Sequence, residues 1–185
     1  GAILFFLGIA YYWESQYTEA ITVTAKAAEL ATRVGDTVTA LYALTNLARF
    51  AHTQGKMHES MAALEQTWVV ATAHNAQQLS IMGSYHNNMG QVLYEWNRLD
   101  EAEEHYLQAI HLSEQARNPR TLLRTHSLLL PVYQAKGQHA RAAETLHQAQ
   151  KLMRQFELSV QIKDECSRTI IRKWLDDGNL PAVAE

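Results

Sequence analysis

The sequence is poor in the residues that cross-link or interrupt a chain. Among 185 residues there are three prolines and one cysteine, Cys166. A lone thiol builds no disulfide framework and no thiolate metal site. Scarce proline leaves long stretches without helix breakers. Lys and Arg number 16 against 19 Asp and Glu, a formal charge of -3 with no basic run. That excludes the electrostatic footprint of a nucleic-acid-binding surface. An apolar run of about 20 residues, enough to span a bilayer, is missing too. The nearest approach, GAILFFLGIAYYW, stops at Trp13 before Glu14, Ser15 and Gln16. It has neither the basic start nor the small-residue cleavage site of a signal peptide. An all-helical protein of the reducing cytoplasm is the expectation.

What is present is a repeat. Gly8 and Gly90 lie 82 residues apart, as do Gly55 and Gly137, and Gly178 follows Gly137 by 41. The period is therefore near 41. Superposed at that spacing, LFFLGIAYYWESQYTEAI, LTNLARFAHTQGKMHESM, HNNMGQVLYEWNRLDEAE and HSLLLPVYQAKGQHARAA share one pattern, and SRTIIRKWLDDGNLPAVAE starts a fifth copy. Leu4, Leu7, Gly8 and Tyr11 recur as Leu44, Leu47, Ala48 and Ala51, then as His86, Met89, Gly90 and Leu93. Spacings of three, four and seven put them on one stripe of a helix.

After a turn comes a small residue, Ala20, Ser60, Ala102 or Ala142, with Ala27, Thr67, Ala109 or Ala149 seven positions later. Antiparallel helices approach closely only where such small side chains meet, so Gly8 or Ala48 is expected against Ala20 or Ser60. Gly55, Gly137 and Gly178 sit where a left-handed residue ends a first helix. Asp36 and Asn118-Pro119 read as helix starts. Leu130 replaces the small residue in the fourth copy, and Pro131 next to it is expected to kink its helix.

This pattern resembles the tetratricopeptide repeat. The resemblance implies an all-α fold, a right-handed superhelix of antiparallel helix pairs. Residues 1–185 would form a single solenoid domain, with repeats starting near 1, 41, 83 and 123 and a partial one near 164. Longer helices absorb the surplus over the usual repeat length. Within the third copy, GQVLYEWNRLDEAEEHYLQAIHLSEQA resembles a segment of the large ATP-binding LuxR-type transcriptional regulators, relatives of the bacterial maltose-regulon activator. RTIIRKWLDDGNLPAVAE is similar to their arginine-rich helix before a Gly-Asn/Asp-Leu turn.

That resemblance implies a non-catalytic sensor module that binds an inducer or a partner protein. ATP is expected only in an N-terminal domain outside this chain, and DNA binding in a C-terminal one. No G-x-x-x-x-G-K-[ST] and no basic recognition helix occurs here. The competing readings are a peptide-binding or scaffold repeat domain of a signalling protein, and a repeat domain attached to an enzyme encoded elsewhere in the chain.

In the tetratricopeptide family the second, fifth, ninth and twelfth positions of each repeat line a concave groove. The resemblance puts these at Tyr42, Thr45, Arg49 and His52, then at Ser84, Asn87, Gln91 and Tyr94. The fourth repeat gives Arg124 and Ser127, with Pro131 and Gln134 in register. Amide, hydroxyl, guanidinium and phenol groups suit a peptide or a sugar. The carboxylate clamp of co-chaperone repeats is matched only by Asn88 and Arg124, whereas Thr45, Arg49 and Leu128 depart from it.

Nine histidines contain no i, i+4 pair, and Cys166 has no second thiolate, so no metal or cofactor is expected. Glu101, Glu103 and Glu104 read as a solvated helix face, and no Gly-x-Ser-x-Gly nucleophile motif is present. The opening helix carries more apolar surface than one partner needs, with Phe5, Phe6 and Ile9 left over. An internal fragment of a longer chain, able to self-associate through that apolar N-terminal face, is the expectation.

Overall fold

Residues 1–156 are described by a computed structural model. Among them are eight α-helices and no strand: α1 (Ala2–Trp13), α2 (Tyr17–Arg33), α3 (Thr37–Thr53), α4 (Met57–Ala73), α5 (Ile81–Glu95), α6 (Leu99–Gln115), α7 (Pro119–Ala135) and α8 (His139–Gln155). Six of the eight are 17 residues long, so the surplus over a short repeat does lie in the helices. The partial repeat near 164, Gly178 and Cys166 lie outside the described residues.

The turns explain the even period. Left-handed backbone closes each of the helices α1 to α7: Gly55 and Gly137 end α3 and α7 at φ of 71° and 68°, and Ser15 and Asn97 take the same place after α1 and α5. Gly35, Asn75 and Arg117 do this after the second helices. A left-handed residue ends a helix by turning its next amide back onto the last carbonyls, and glycine adopts it without steric cost. These points recur at intervals of 40 and 42, the extra two residues falling in the longer link between α4 and α5.

Asp36 caps α3, accepting from the Thr39 amide at 3.1 Å. The Thr39 side chain and backbone together hold its carboxyl below the ordinary value. Asn118 caps α7 through the Thr121 amide at 3.2 Å, with Pro119 in the first turn. Both starts follow from the preference of helix N-termini for such acceptors. The α7 helix runs unbroken through Pro131.

The chain falls into two compact units, Gly1–Val92 and Leu93–Glu185. In the first, α3 packs against both α2 and α4, and α1 packs against α2. The small residues sit at the close approaches: Ala20, Ala27, Ser60 and Thr67 are fully buried. A cluster of Ala27, Ala28, Ala43 and Leu44, flanked by Leu4, Phe5 and Val70, joins α1, α2, α3 and α4. In the second unit α7 packs on α6 and α8, burying Ala102, Ala109, Ala142 and Ala149 in the corresponding places.

The surface of α1 differs from the sequence expectation in detail. Phe5 is half-buried against the cluster, 6.0 Å from the Tyr42 ring, and Ile9 is half-buried too. Leu7, expected to face the partner helix, is exposed instead. The bared stripe is Ile3, Phe6, Leu7 and Trp13, with Ile3 84% and Phe6 66% exposed. The cause is α3, which approaches α1 from the Phe5 side and covers a residue that a lone helix pair would leave open.

Candidate functional site

The ten groove candidates divide between the two units. Tyr42, Thr45, Arg49 and His52 lie on α3, and Ser84, Asn87 and Gln91 on the part of α5 in the first unit. Tyr94, Arg124 and Ser127 belong to the second.

On α3, Tyr42 is exposed, Arg49 and His52 are half-buried, and Thr45 is buried with its hydroxyl unpartnered. Arg49 is already engaged. Its guanidinium donates to Asn46 Oδ1 at 2.8 Å and lies over the Tyr12 and Phe50 rings, 4.5 and 5.0 Å from their centroids. Tyr12 in turn stacks on Phe50 at 4.4 Å. Such a cation on aromatic faces contributes to the docking of α1 on α3, so Arg49 has a structural duty beside any contact with a ligand.

From α5, Asn88 donates to the Thr45 carbonyl at 2.8 Å, tying the two first helices together. The clamp-like Asn88 is thus spent on the backbone. Its neighbour Asn87 differs. The side chain is 0% exposed, and neither its Nδ2 nor its Oδ1 has a hydrogen-bond partner within the protein. A buried, unsatisfied amide costs about 1–3 kcal/mol, so native proteins rarely keep one without a purpose. The Asn87 amide carries two donor hydrogens and a carbonyl acceptor, none of them engaged within the protein. Ser84 and Gln91, one turn to either side, are half-buried.

Within the second unit Tyr94 and Arg124 are half-buried, and Ser127 is buried, its hydroxyl donating to the Leu123 carbonyl at 3.0 Å. Ser127 therefore serves its own helix. Tyr106 is buried beside this pair: burial pushes its phenol well up, the Arg124 charge pulls it down, and Tyr94 and Glu95 push it further up.

One expectation is corrected here. Glu103 is not a solvated carboxylate: it is 8% exposed and bridges three helices. It accepts from Lys136 Nζ at 2.6 Å and pairs with Arg141 Nη1 at 2.5 Å. Lys136 also donates to Asp100 at 2.5 Å, while Arg141 donates to the Tyr133 hydroxyl at 2.9 Å and covers its ring. Burial raises the Glu103 carboxyl, but the bonds from Lys136 and Arg141 outweigh it and leave the group below its ordinary value. The partners lie 33 and 38 residues away, so no local spacing reveals them. Glu101, by contrast, makes a surface pair with Arg98.

No group of three or more His, Cys, Asp or Glu side chains that could hold a metal ion occurs among the described residues. His105 and His126 are both lowered by burial, against the pull of Glu101 and Glu144 respectively. No described helix is long and apolar enough to cross a membrane.

Stacked helix pairs of even length, closed by left-handed turns and packed through small residues, define the tetratricopeptide-type repeat proteins, modules for protein-protein interaction. Within that class the chain belongs to the family described as the MalT-like TPR region, whose model matches residues 1–185. It is similar to the HTH-type transcriptional regulators MalT of Vibrio campbellii and Vibrio parahaemolyticus, each 33% identical over 95 residues, covering 51% of this chain and 10% of the relative. The chain thus matches about a tenth of the length of these curated relatives.

Solved structures agree on the fold. BtubC (BKLC) from P. vanneervenii superposes with a TM-score of 0.69 at 18% identity, over 85% of this chain and 66% of that one. A putative kinesin light chain of Podosopora anserina with nearly identical TPR-like repeats gives 0.67 at 18% identity, over 96% and 87%.

Proposed function

We propose that this chain is the sensor region of a bacterial LuxR-type transcriptional regulator, a non-catalytic module working in the cytoplasm. Within the first unit, α3 and α5 present a groove to an inducer or a partner protein. Nucleotide and DNA binding belong to other parts of such a polypeptide. The family match over residues 1–185 supports the regulator reading, and the observation that carries the groove is Asn87, buried with its whole amide unused.

A thermal-shift screen of the chain against sugars, peptides and metabolites tests it. At a hundredfold excess over Kd a ligand stabilises by about 2.7 kcal/mol, which is several degrees in a chain of this size. One class should raise Tm. Asn87→Leu should keep the unliganded stability within about 1 kcal/mol, because it removes an amide that has no partner, and should abolish the ligand shift. A variant that responds like the wild type, or a screen in which nothing shifts Tm, would show the groove assignment to be wrong.

The stripe of Ile3, Phe6, Leu7 and Trp13 supports a second proposal, that this chain self-associates through α1. A contiguous apolar helix face is the usual mark of an interaction surface. Sedimentation should show concentration-dependent dimers, returned to monomers by Phe6→Lys. A monomeric wild type at high concentration would refute this contact.

A further inference from the structure

A second surface lies in the first unit, on the side formed by the second helices. Both α2 and α4 pack on α3 but leave a gap between themselves, a cleft of about 750 Å³. Its floor is apolar, made by Ala28, Leu44, Leu47 and Val70. From Ala25 to Arg33 on one wall and from Ala62 to Val70 on the other, it runs two helical turns, about 12 Å. Glu29 on α2 and Glu65 on α4 line it from opposite walls, both exposed and neither in an ion pair among the described residues. Arg33 is the one cation among the lining residues, and no ion pair joins it to either carboxylate.

From this geometry we infer that the cleft docks a short amphipathic helix of a partner protein, which places small apolar residues on the Leu44–Leu47 floor and a Lys or Arg between Glu29 and Glu65. The trough is open along its length, so a small ligand would stay largely in water, whereas a helix laid along it gains floor and walls together. Charge decides the occupant. An uncharged helix would strip solvent from both carboxylates with nothing in return. A second copy offering the α1 stripe would do so, since no charged side chain precedes Glu14. A basic residue laid along the floor is flanked by a carboxylate on each wall. This surface is distinct from the proposed groove, and neither depends on the other.

Two capped synthetic helical peptides, identical in leucine and alanine pattern, would carry a lysine or a glutamate at the central position of the apolar face. Titrated into the isotopically labelled chain, the lysine peptide should shift amide resonances of residues 25–33 and 62–70, and bind at least tenfold more tightly than the glutamate peptide. Glu29→Gln with Glu65→Gln should remove that preference. Ala25→Arg, at an exposed lining position, should block binding while leaving Tm unchanged. Equal affinity for both peptides, resonance shifts located on α1, or binding indifferent to the Glu29→Gln, Glu65→Gln pair would overturn the proposal. So would a dimer of the chain that Ala25→Arg dissolves, since the cleft would then belong to a second copy.

Discussion

Gly8→Val should lower stability by about 3 kcal/mol in urea denaturation followed by circular dichroism. A Cβ at Gly8 would lie 2.1 Å from Thr24 Oγ1, 3.3 Å from Thr24 Cβ and 3.4 Å from the Ala20 carbonyl. Thr24 is fully buried and β-branched, so turning its hydroxyl away brings another substituent toward the same wall. The helices must part instead, and α1 depends on α2 for most of its contacts. Alanine at the same place should cost less, since about 1 kcal/mol of helix propensity is regained over glycine.

The cause can be isolated. The Thr24 hydroxyl has no hydrogen-bond partner, so Thr24→Ala alone should be nearly neutral. In the Gly8→Ala, Thr24→Ala double variant the 2.1 Å contact with the hydroxyl is gone and only the tight 3.3 Å approach to the Cβ of residue 24 and the 3.4 Å approach to the Ala20 carbonyl remain, so the two effects should couple by about 1 kcal/mol or more. Strict additivity would show that Gly8 is needed for a reason other than the close approach.

The same contact shows why the fold was legible in the sequence. The small residue of a first helix and the small residue of the second are written at a constant offset, because two backbones meet there in every copy. Ala20, Ser60, Ala102 and Ala142 are all buried as that offset requires, and Asp36 and Asn118 start helices as their side chains dictate. Turn chemistry was only half legible. Gly55 and Gly137 announce their left-handed φ, and Asn75 and Asn97 tolerate it by local chemistry, whereas Ser15 and Arg117 adopt it under the constraint of the packed helices on either side.

Exposure along the first helices was not legible. Thr45, Asn87 and Ser127, chosen as groove candidates, lie on α3, α5 and α7, and all three are buried. Exposure along a first helix depends on how closely the neighbouring helices stack, which no periodicity records. Asn88 shows the same limit from the other side. Its bond to the Thr45 carbonyl spans 43 residues and depends on the approach of α5 to α3. Glu103 was misread for this reason too: the four acidic residues in DEAEE look alike until α7 and α8 bring Lys136 and Arg141 to Glu103.

For that carboxylate the expected result is a loss of about 2 kcal/mol in Glu103→Ala at neutral pH, or about 4–8 °C in Tm. Removal takes the shared carboxylate from two cations: Lys136, largely buried, keeps only the exposed Asp100, and Arg141 keeps the Tyr133 hydroxyl and Gln138. The figure is held below that of a fully buried pair because the Arg141 side chain remains half open to water. Because the folded carboxyl sits below its ordinary value of 4.5, its contribution is complete above that pH and is lost as pH falls through the lowered value. Lys136 is opposite in sign. Hydrogen bonds from its ammonium to Asp100 and Glu103 raise it above 10.5, so its contribution is complete below that pH and disappears as pH rises through the raised value. The difference in stability between wild type and Glu103→Ala should therefore be flat from about pH 5 to 10 and shrink toward both extremes. Glu103→Gln, which keeps an acceptor for Lys136 and Arg141, should recover part of the loss while flattening the acid limb. A wild-type advantage that persists undiminished at pH 3 would mean that Glu103 holds α6, α7 and α8 together by packing and not by charge.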